Sequence, residues 1–254
     1  MIIYFSATGN CKYVASKIAK ETQDNIISIV DCMKEKRFNF TFDSKEPLGI
    51  VCPTYGLGLP SIVIEFLEKF KINFIKKPYI YFIATYGTLS GQTGHYANQY
   101  LQKKGSPIDA YFSVKMPDTW TPIFNLSNLE KVKKINEKAE PQIDTIIKKI
   151  LERACGDFMK GKIPYLATNI FHSFEYNNMR KTKYFHVENT CIGCGLCEIK
   201  CPINAIKMDN GHPTWIKDKC IICLGCLHRC PKFSIQYKNK TKKHGQYKNP
   251  NVTV

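Results

Sequence analysis

The chain has 254 residues with 37 lysines and arginines against 21 aspartates and glutamates, which gives a net charge of +16. No apolar run is long enough to span a bilayer and no basic segment precedes the apolar start Met1–Phe5, so we expect a cytoplasmic protein without a secretory leader. Twelve cysteines in a compartment that keeps thiols reduced indicate metal binding or redox chemistry rather than disulfides.

Residues 1–155 alternate predicted strands with amphipathic helices, the pattern of a parallel sheet covered on both faces. The predicted strands are Ile2–Phe5, Ile26–Val30, Leu48–Cys52, Tyr79–Thr85 and Ala110–Val114. The predicted helices include Cys11–Glu21, Ser61–Phe70, Gln92–Lys103 and a long one from Asn128 to Ala154. The pattern predicts an α/β domain with a doubly wound, five-stranded parallel sheet.

Residues 156–183 read as a linker. Leu166, Ile170 and Phe174 recur every four residues with Phe171 beside them, which predicts a helix that docks between domains. Residues 184–237 form a second, cysteine-rich domain of α+β type. The tail, residues 238–254, is polar and basic, and Tyr247 and Pro250 are its expected anchors.

The cysteine-rich domain repeats the pattern C-x2-C-x2-C-x3-C-P with a spacing of 29 residues, at Cys191–Pro202 and Cys220–Pro231. Three closely spaced thiolates can bind one iron–sulfur cube, while the fourth, displaced by the proline turn, binds the other cube. This predicts two [4Fe–4S] clusters with crossed ligation. The first would be held by Cys191, Cys194, Cys197 and Cys230, and the second by Cys220, Cys223, Cys226 and Cys201.

Two other interpretations of the cysteines fit less well. Zinc ribbons also use C-x2-C pairs, but a third cysteine at the same spacing has no role in a tetrahedral zinc site. Disulfide frameworks belong to short secreted chains.

A second candidate site lies between the first strand and the first helix, in the loop Ser6–Cys11. Main-chain N–H groups and the helix dipole favour an anion there, and the side chains of Ser6, Thr8 and Asn10 add donors for a phosphate. The loop lacks the glycine spacing of a dinucleotide fingerprint and the lysine of a Walker motif. The alternative is an ordinary helix N-cap.

The segment Ile2-Ile3-Tyr4-Phe5-Ser6-x-x-Gly9-x-Cys11-x-x-x-Ala15-x-x-Ile18 resembles the flavodoxin signature, and the whole chain resembles the flavodoxin–ferredoxin fusion family. The resemblance implies a flavodoxin-like fold that binds FMN, followed by a bacterial-type ferredoxin domain. Cys11 stands where the flavodoxin pattern has threonine. We expect this to weaken phosphate binding by about one hydrogen bond, of order 1 kcal/mol.

The same resemblance implies two further flavin loops. The loop Pro53-Thr54-Tyr55-Gly56-Leu57 would pack on one side of the ring system, with Tyr55 as the stacking ring and Gly56 as a peptide free to turn over. Thr85, Tyr86 and Gly87 would line the other side, although Tyr86 is equally compatible with a core or rim position. The predicted cofactor residues are therefore Ser6, Thr8, Gly9, Asn10, Cys11, Pro53, Thr54, Tyr55, Gly56, Leu57, Thr85, Tyr86 and Gly87.

The other reactive side chains carry weaker signals. Cys32, Cys52 and Cys155 are expected to be buried thiols. Trp120 is more typical of packing than of cofactor contact, and His228, inside the second cysteine motif, is expected to be solvent-exposed although it could tune a cluster potential.

Together these patterns predict an electron carrier that couples FMN to two [4Fe–4S] clusters. The alternatives are an FMN-dependent reductase of a small acceptor, and a redox sensor or cluster-transfer protein without flavin. The basic charge favours an acidic protein partner such as a ferredoxin, a flavodoxin or a reductase over nucleic acid, because no nucleic-acid motif accompanies it. Attraction to anionic lipid and simple solvation of a lysine-rich surface are the alternatives. The sequence does not define an oligomeric state.

Overall fold

The computed structural model of the protein describes residues 1–43 and 46–254. The strands are β1 Ile2–Tyr4, β2 Ile26–Ser28, β3 Asn39–Phe42, β4 Leu48–Pro53, β5 Lys71–Phe74, β6 Ile80–Tyr86, β7 Ala110–Lys115, β8 Gly156–Asp157, β9 Phe185–Val187, β10 Ile206–Asp209, β11 His212–Trp215 and β12 Ile235–Tyr237. The helices are α1 Asn10–Thr22, α2 Ile29–Glu35, α3 Ser61–Lys69, α4 Thr93–Gln102, α5 Leu129–Leu151, α6 Tyr165–Phe171, α7 Asn177–Met179, α8 Leu196–Ile199, α9 Gly225–Arg229 and α10 Thr241–His244.

Six strands of the described residues form a parallel sheet in the order β2-β1-β4-β6-β7-β8. The five predicted strands are present, and β8 adds a two-residue sixth strand that pairs with β7 at the edge. The strand order reverses between β1 and β4, because the chain first moves outward to β2 and then crosses to the other side of β1. In doubly wound sheets the ligand crevice lies at the carboxyl ends of the strands beside such a reversal.

Both faces of the sheet are buried, which explains why its strands are continuously apolar. On one face Ile2 belongs to a core formed with α1 and α5. On the other face Ile3 and Phe5 belong to a core formed with α2, α3 and α4. Asn128 caps α5 by accepting a hydrogen bond from the Lys131 N–H at 2.9 Å, close to the predicted start of that helix.

The prediction for Ile26–Val30 was wrong at its end, because the strand stops at Ser28 and α2 begins at Ile29. The Ser28 hydroxyl accepts a hydrogen bond from the Asp31 N–H at 3.4 Å and so caps the new helix. A small parallel pair, β3 with β5, was also missed.

The segment predicted as a linker contains the expected helix, but of the side chains predicted to dock, Leu166 and Phe174 do not, while Phe171 lines a cavity of the first domain. Leu166 and Phe174 are 71% and 73% exposed, whereas Tyr176 is 3% exposed. A π-helical turn, His172–Tyr176, interrupts the α-helical repeat, so a four-residue periodicity that is carried into it misplaces Phe174. The side chain of Ile170, part of the same prediction, lies outside those that the structure describes.

The cysteine-rich domain consists of two antiparallel strand pairs, β9 with β12 and β10 with β11, and the short helices α8 and α9. Its core contains Tyr237, Leu227, Ile206 and Ile235, with Tyr55 of the first domain packed against it.

The tail returns to the first domain. Tyr247 is buried as predicted, but Pro250 is exposed and the neighbouring anchor is Asn249, which is 2% exposed. No helix in residues 1–43 and 46–254 has the length and apolar character needed to cross a membrane.

Candidate functional site

A cavity of about 350 Å³ lies at the carboxyl ends of β1, β4 and β6. Twelve of the thirteen predicted cofactor residues line it, namely Ser6, Thr8, Asn10, Cys11, Pro53, Thr54, Tyr55, Gly56, Leu57, Thr85, Tyr86 and Gly87. The volume is within the usual range for small-molecule and cofactor sites. Three loops far apart in sequence therefore meet at the crevice that the strand order predicts.

The loop before α1 has the geometry of an anion-binding turn. Gly9 caps α1 with φ of 101°, and a Cβ at this position would lie 2.8 Å from the Cβ of Asn249 in the tail. Ser6 Oγ accepts a hydrogen bond from the Gly9 N–H at 3.1 Å. The tail thus covers the outer side of the loop, and Ser6, Thr8 and the start of α1 face the cavity.

The side chain of Asn10 is already engaged by protein groups. Its Nδ2 donates to the Pro117 carbonyl at 3.3 Å. Its Oδ1 accepts from the Tyr247 hydroxyl at 2.8 Å and from Asn249 Nδ2 at 3.1 Å. In this arrangement Asn10 connects the loop to the tail, so its main contribution is positional.

Cys11 is buried, and its Sγ lies 3.0 Å from the Thr85 hydroxyl. Burial raises the pKa of the thiol to about 12, although the hydrogen bond from Thr85 opposes the shift. The thiol is therefore neutral at physiological pH. It joins the first and third cavity loops, as the hydroxyl of a threonine would.

His172 of the π-helical turn reaches the second loop. Its Nδ1 lies 3.0 Å from the Gly56 carbonyl oxygen, and its ring stacks on Tyr176 with centroids 4.7 Å apart. Burial lowers the pKa of His172, so the neutral ring is favoured. Gly56 has φ of 54°, and a Cβ there would lie 2.8 Å from the Cβ of Tyr176. Glycine is required by both its conformation and its neighbour.

The third loop meets a segment that sequence reasoning had only partly singled out. Asp118 lines the cavity and accepts hydrogen bonds from the Trp120 N–H at 3.0 Å and from the Thr88 hydroxyl at 3.2 Å. Burial raises the pKa of Asp118 while these bonds oppose the shift. Trp120 also lines the cavity, and its buried Nε1 has no hydrogen-bond partner among residues 1–43 and 46–254. A donor in this position is available to a bound molecule.

One wall of the cavity comes from outside the first domain. Phe171, Tyr176 and Met179 of the linker and the segment Ile222–Leu224 of the second cysteine motif line it. This wall is not predictable from the sequence, because no local pattern indicates how two domains dock.

The eight motif cysteines are brought into two sets of four. One small cavity is lined by Cys201, Cys220, Cys223 and Cys226, here called the inner set. Another is lined by Cys191, Cys194, Cys197 and Cys230, here called the outer set. These are the same groups of four as in the predicted crossed ligation.

Each set supplies the four thiols that a cube requires. A cube takes each thiolate on a different iron, so its ligands surround a volume instead of meeting at a point. Within residues 1–43 and 46–254, no three His, Cys, Asp or Glu side chains are placed to hold one metal ion. Main-chain N–H groups point at thiol sulfurs at matching positions of the repeat: Ala205 to Cys201 at 3.2 Å and Ser234 to Cys230 at 3.3 Å. Such bonds favour the thiolate over the thiol and shift the reduction potential of a cluster that the thiolate binds.

Burial also affects the protonation of the inner-set thiols. Burial raises the pKa of Cys220 to about 12 and that of Cys223 to about 11. Thiolates in such surroundings are stable when bound to metal, whose positive charge replaces the lost solvation.

Two predictions for other side chains were wrong. Cys155 is exposed, whereas Cys32 and Cys52 are buried as expected. His228 is 1% exposed and not solvated: its Nε2 lies 3.0 Å from the Thr119 carbonyl oxygen, and its Nδ1 accepts from the Tyr247 N–H at 3.1 Å. Burial lowers its pKa to about 4, which keeps the ring neutral. His228 thus joins the second cysteine motif to the cavity loop and to the tail.

Comparisons with known proteins agree with this architecture. The ferredoxin-type protein FwdE of Methanocaldococcus jannaschii is 38% identical over 55 residues, which are 22% of this chain and 36% of that protein. An uncharacterized ferredoxin of the same organism is 43% identical over 49 residues, 18% of this chain and 26% of that protein. The chain thus spans about a third or less of the relatives that it matches.

Among solved structures, rubredoxin oxygen:oxidoreductase from the anaerobe Desulfovibrio gigas aligns with a TM-score of 0.37 at 14% identity, over 61% of this chain and 36% of that one. A flavodoxin-domain model matches residues 1–145, more than half of the chain, and a 4Fe-4S dicluster-domain model matches residues 190–235. The chain therefore belongs to the flavodoxin family and is a flavodoxin–ferredoxin fusion.

Proposed function

We propose that the protein is an electron carrier that passes electrons between FMN and two [4Fe–4S] clusters. One observation carries the proposal: Cys223, a thiol of the inner set, lines both the inner-set cavity and the cavity formed by the flavodoxin loops. Two redox sites that share a wall can exchange electrons without a mobile carrier.

The residues present fit FMN. Ser6, Thr8 and the N-terminus of α1 would hold the phosphate, and the loops at Tyr55 and Tyr86 would enclose the ring system. FMN supplies chemistry that accepts either one or two electrons, while a cube exchanges one. The protein groups determine the surroundings: His172 fixes the Gly56 carbonyl, and Asp118 holds the loop beside Gly87.

The test is an anaerobic redox titration of the purified protein with flavin and iron counted in the same sample. We expect one FMN and about eight iron atoms per chain, with both cofactors reduced reversibly. Iron–sulfur absorbance without any flavin, even after incubation with FMN, would instead support the sensor or cluster-transfer alternative and would overturn the coupling function.

A second candidate, an FMN-dependent reductase of a small acceptor, is favoured by the open side of the cavity. Ile123 and Leu89 line this side and are 63% and 39% exposed, and the unpartnered Trp120 Nε1 offers a donor. Steady turnover of a quinone or nitro compound with a defined KM would favour this function. Exchange with protein carriers alone would favour the first.

We further propose that the partner is an acidic redox protein. Residues 238–254 contain five lysines and no acidic residue, and the whole chain carries +16. Opposite charges raise the association rate, and salt screens them over about 10 Å at 0.1 M. Raising the salt concentration should therefore slow reduction by an acidic ferredoxin in stopped-flow measurements. A rate independent of salt would contradict the proposal.

A further inference from the structure

The two cysteine sets differ in their position relative to the flavin cavity and to solvent. We infer that electrons cross the molecule in a fixed order, from a protein carrier to the outer set, then to the inner set and then to the flavin cavity, or in reverse. The inference rests on the proposed electron-carrier function and adds to it the order of steps and the surface where the partner binds.

Contacts from both domains place the inner set next to the flavin cavity. Ile222, Cys223 and Leu224 line the cavity, and Ile221 is part of the flavodoxin core at 3% exposure. From the other side, Tyr55 of the second flavin loop packs against the core that contains Cys201 and Cys220. Electron exchange slows steeply with separation, so the inner set is the direct neighbour for transfer.

The outer set faces solvent. Cys194 is exposed, and Ile192, which lines the same cavity, is 58% exposed. Cys201 and Cys220 of the inner set are only 9% and 8% exposed. The outer set thus includes an exposed thiol that a protein partner can approach closely, whereas the thiols of the inner set are buried or half-buried.

The surface around Ile192 indicates the kind of partner. Ile192 shares the lining of the outer-set cavity with the exposed Lys232, whereas the exposed Lys200 lines the inner-set cavity. This combination suits an acidic one-electron carrier protein whose cofactor reaches its surface among apolar side chains. Two such carriers, each oxidised by one electron, supply the two electrons for complete reduction of one FMN, and the accompanying protons come from solvent.

The order is tested with variants that each remove one ligand. Cys194→Ala affects the outer set, and Cys226→Ala affects an inner-set residue outside the lining of the flavin cavity. Each variant, loaded with FMN and its remaining cluster, is reduced by a flash with a photoexcited small-molecule donor. We expect fast transfer from cluster to flavin to persist in Cys194→Ala and to be lost in Cys226→Ala. The opposite pattern would overturn the order.

The partner surface is tested without touching a ligand. Ile192→Glu adds a negative charge beside the outer set, and Ile75→Glu makes the same change at a fully exposed site in the flavodoxin domain. We expect Ile192→Glu to slow reduction by an acidic carrier protein about tenfold through charge repulsion, and Ile75→Glu to have no effect. Both variants should retain wild-type iron content and react normally with dithionite. Equal rates for the two variants would refute the partner-binding surface around Ile192. This test decides even if the ligand variants fail to assemble.

The result is separable from that of the proposed function. If wild-type protein binds FMN and shows flash-induced transfer from cluster to flavin, the function stands and the variants decide the order. If the wild type shows no such transfer, the function itself fails.

Discussion

The two copies of the cysteine motif share one pattern but have opposite environments. Ile192 in the first copy and Ile221 in the second occupy equivalent positions of the 29-residue repeat, yet they are 58% and 3% exposed. Ile199 and His228 are also equivalent, at 67% and 1%. The exposures differ because the second copy is buried against the flavodoxin domain, whereas the first copy remains exposed to solvent. A duplicated unit can thus acquire two roles through its surroundings, with its ligand pattern unchanged.

The largest effect should come from Ile221. Ile221→Ala leaves a cavity in the core shared with the flavodoxin domain and should lower the free energy of unfolding by about 2–5 kcal/mol. Ile192→Ala should change it by less than about 0.5 kcal/mol, because the side chain is already in water. Anaerobic urea unfolding followed by circular dichroism measures both. Similar losses in the two variants would show that the copies are not distinguished by docking.

His228 provides the next comparison. In His228→Leu the Thr119 carbonyl and the Tyr247 N–H lose their buried partner, which should cost about 1–3 kcal/mol. Ile199→Leu is the matched change in the exposed copy and should be neutral. The measurement is the midpoint of thermal unfolding of each variant with its cofactors bound. An unchanged midpoint in His228→Leu would mean that His228 does not hold the domains together.

The next test asks whether the tail supports the loop Ser6–Cys11, which we propose binds FMN. Asn249→Ala removes the hydrogen bond that this side chain donates to Asn10 but keeps the Cβ that lies beside Gly9, so FMN binding should weaken by about 1 kcal/mol, or roughly fivefold. Asn251→Ala, at an exposed position of the same tail, is the control. Quenching of flavin fluorescence during titration gives the Kd. Equal affinities would show that the tail covers the loop without supporting it.

The smallest expected effect concerns pH. The folded-state pKa of His172 lies below its unfolded value, so protonation favours unfolding: its stabilisation is complete above the ordinary histidine pKa and declines as pH falls below it. Stability should therefore fall between about pH 7 and 5, and His172→Gln should show a shallower fall. Urea midpoints across this range measure the slope, and identical slopes would exclude His172 as a contributor.

Much of this architecture was predictable, for reasons that differ between residues. Strands such as β4 are buried on both faces and therefore continuously apolar, and the spacing of Cys191–Pro202 follows from the geometry of a cube. The features that were missed depend on contacts between distant segments. The wall at Ile222–Leu224 and the burial of His228 arise only when the domains dock. The docking face of the linker depends on a π-helical turn that no periodicity reveals.

The contact of Asn249 with Thr8 and Asn10 also bears on how the protein is made. Asn10 and Asn249 are 239 residues apart, so the residues that cover the loop are synthesised long after the loop itself. The flavodoxin domain can fold first, as N-terminal domains generally do during synthesis. The loop that we propose for the FMN phosphate nevertheless remains open on one side until the tail emerges, so stable retention of a flavin there would be a late step that follows synthesis of the cysteine-rich domain.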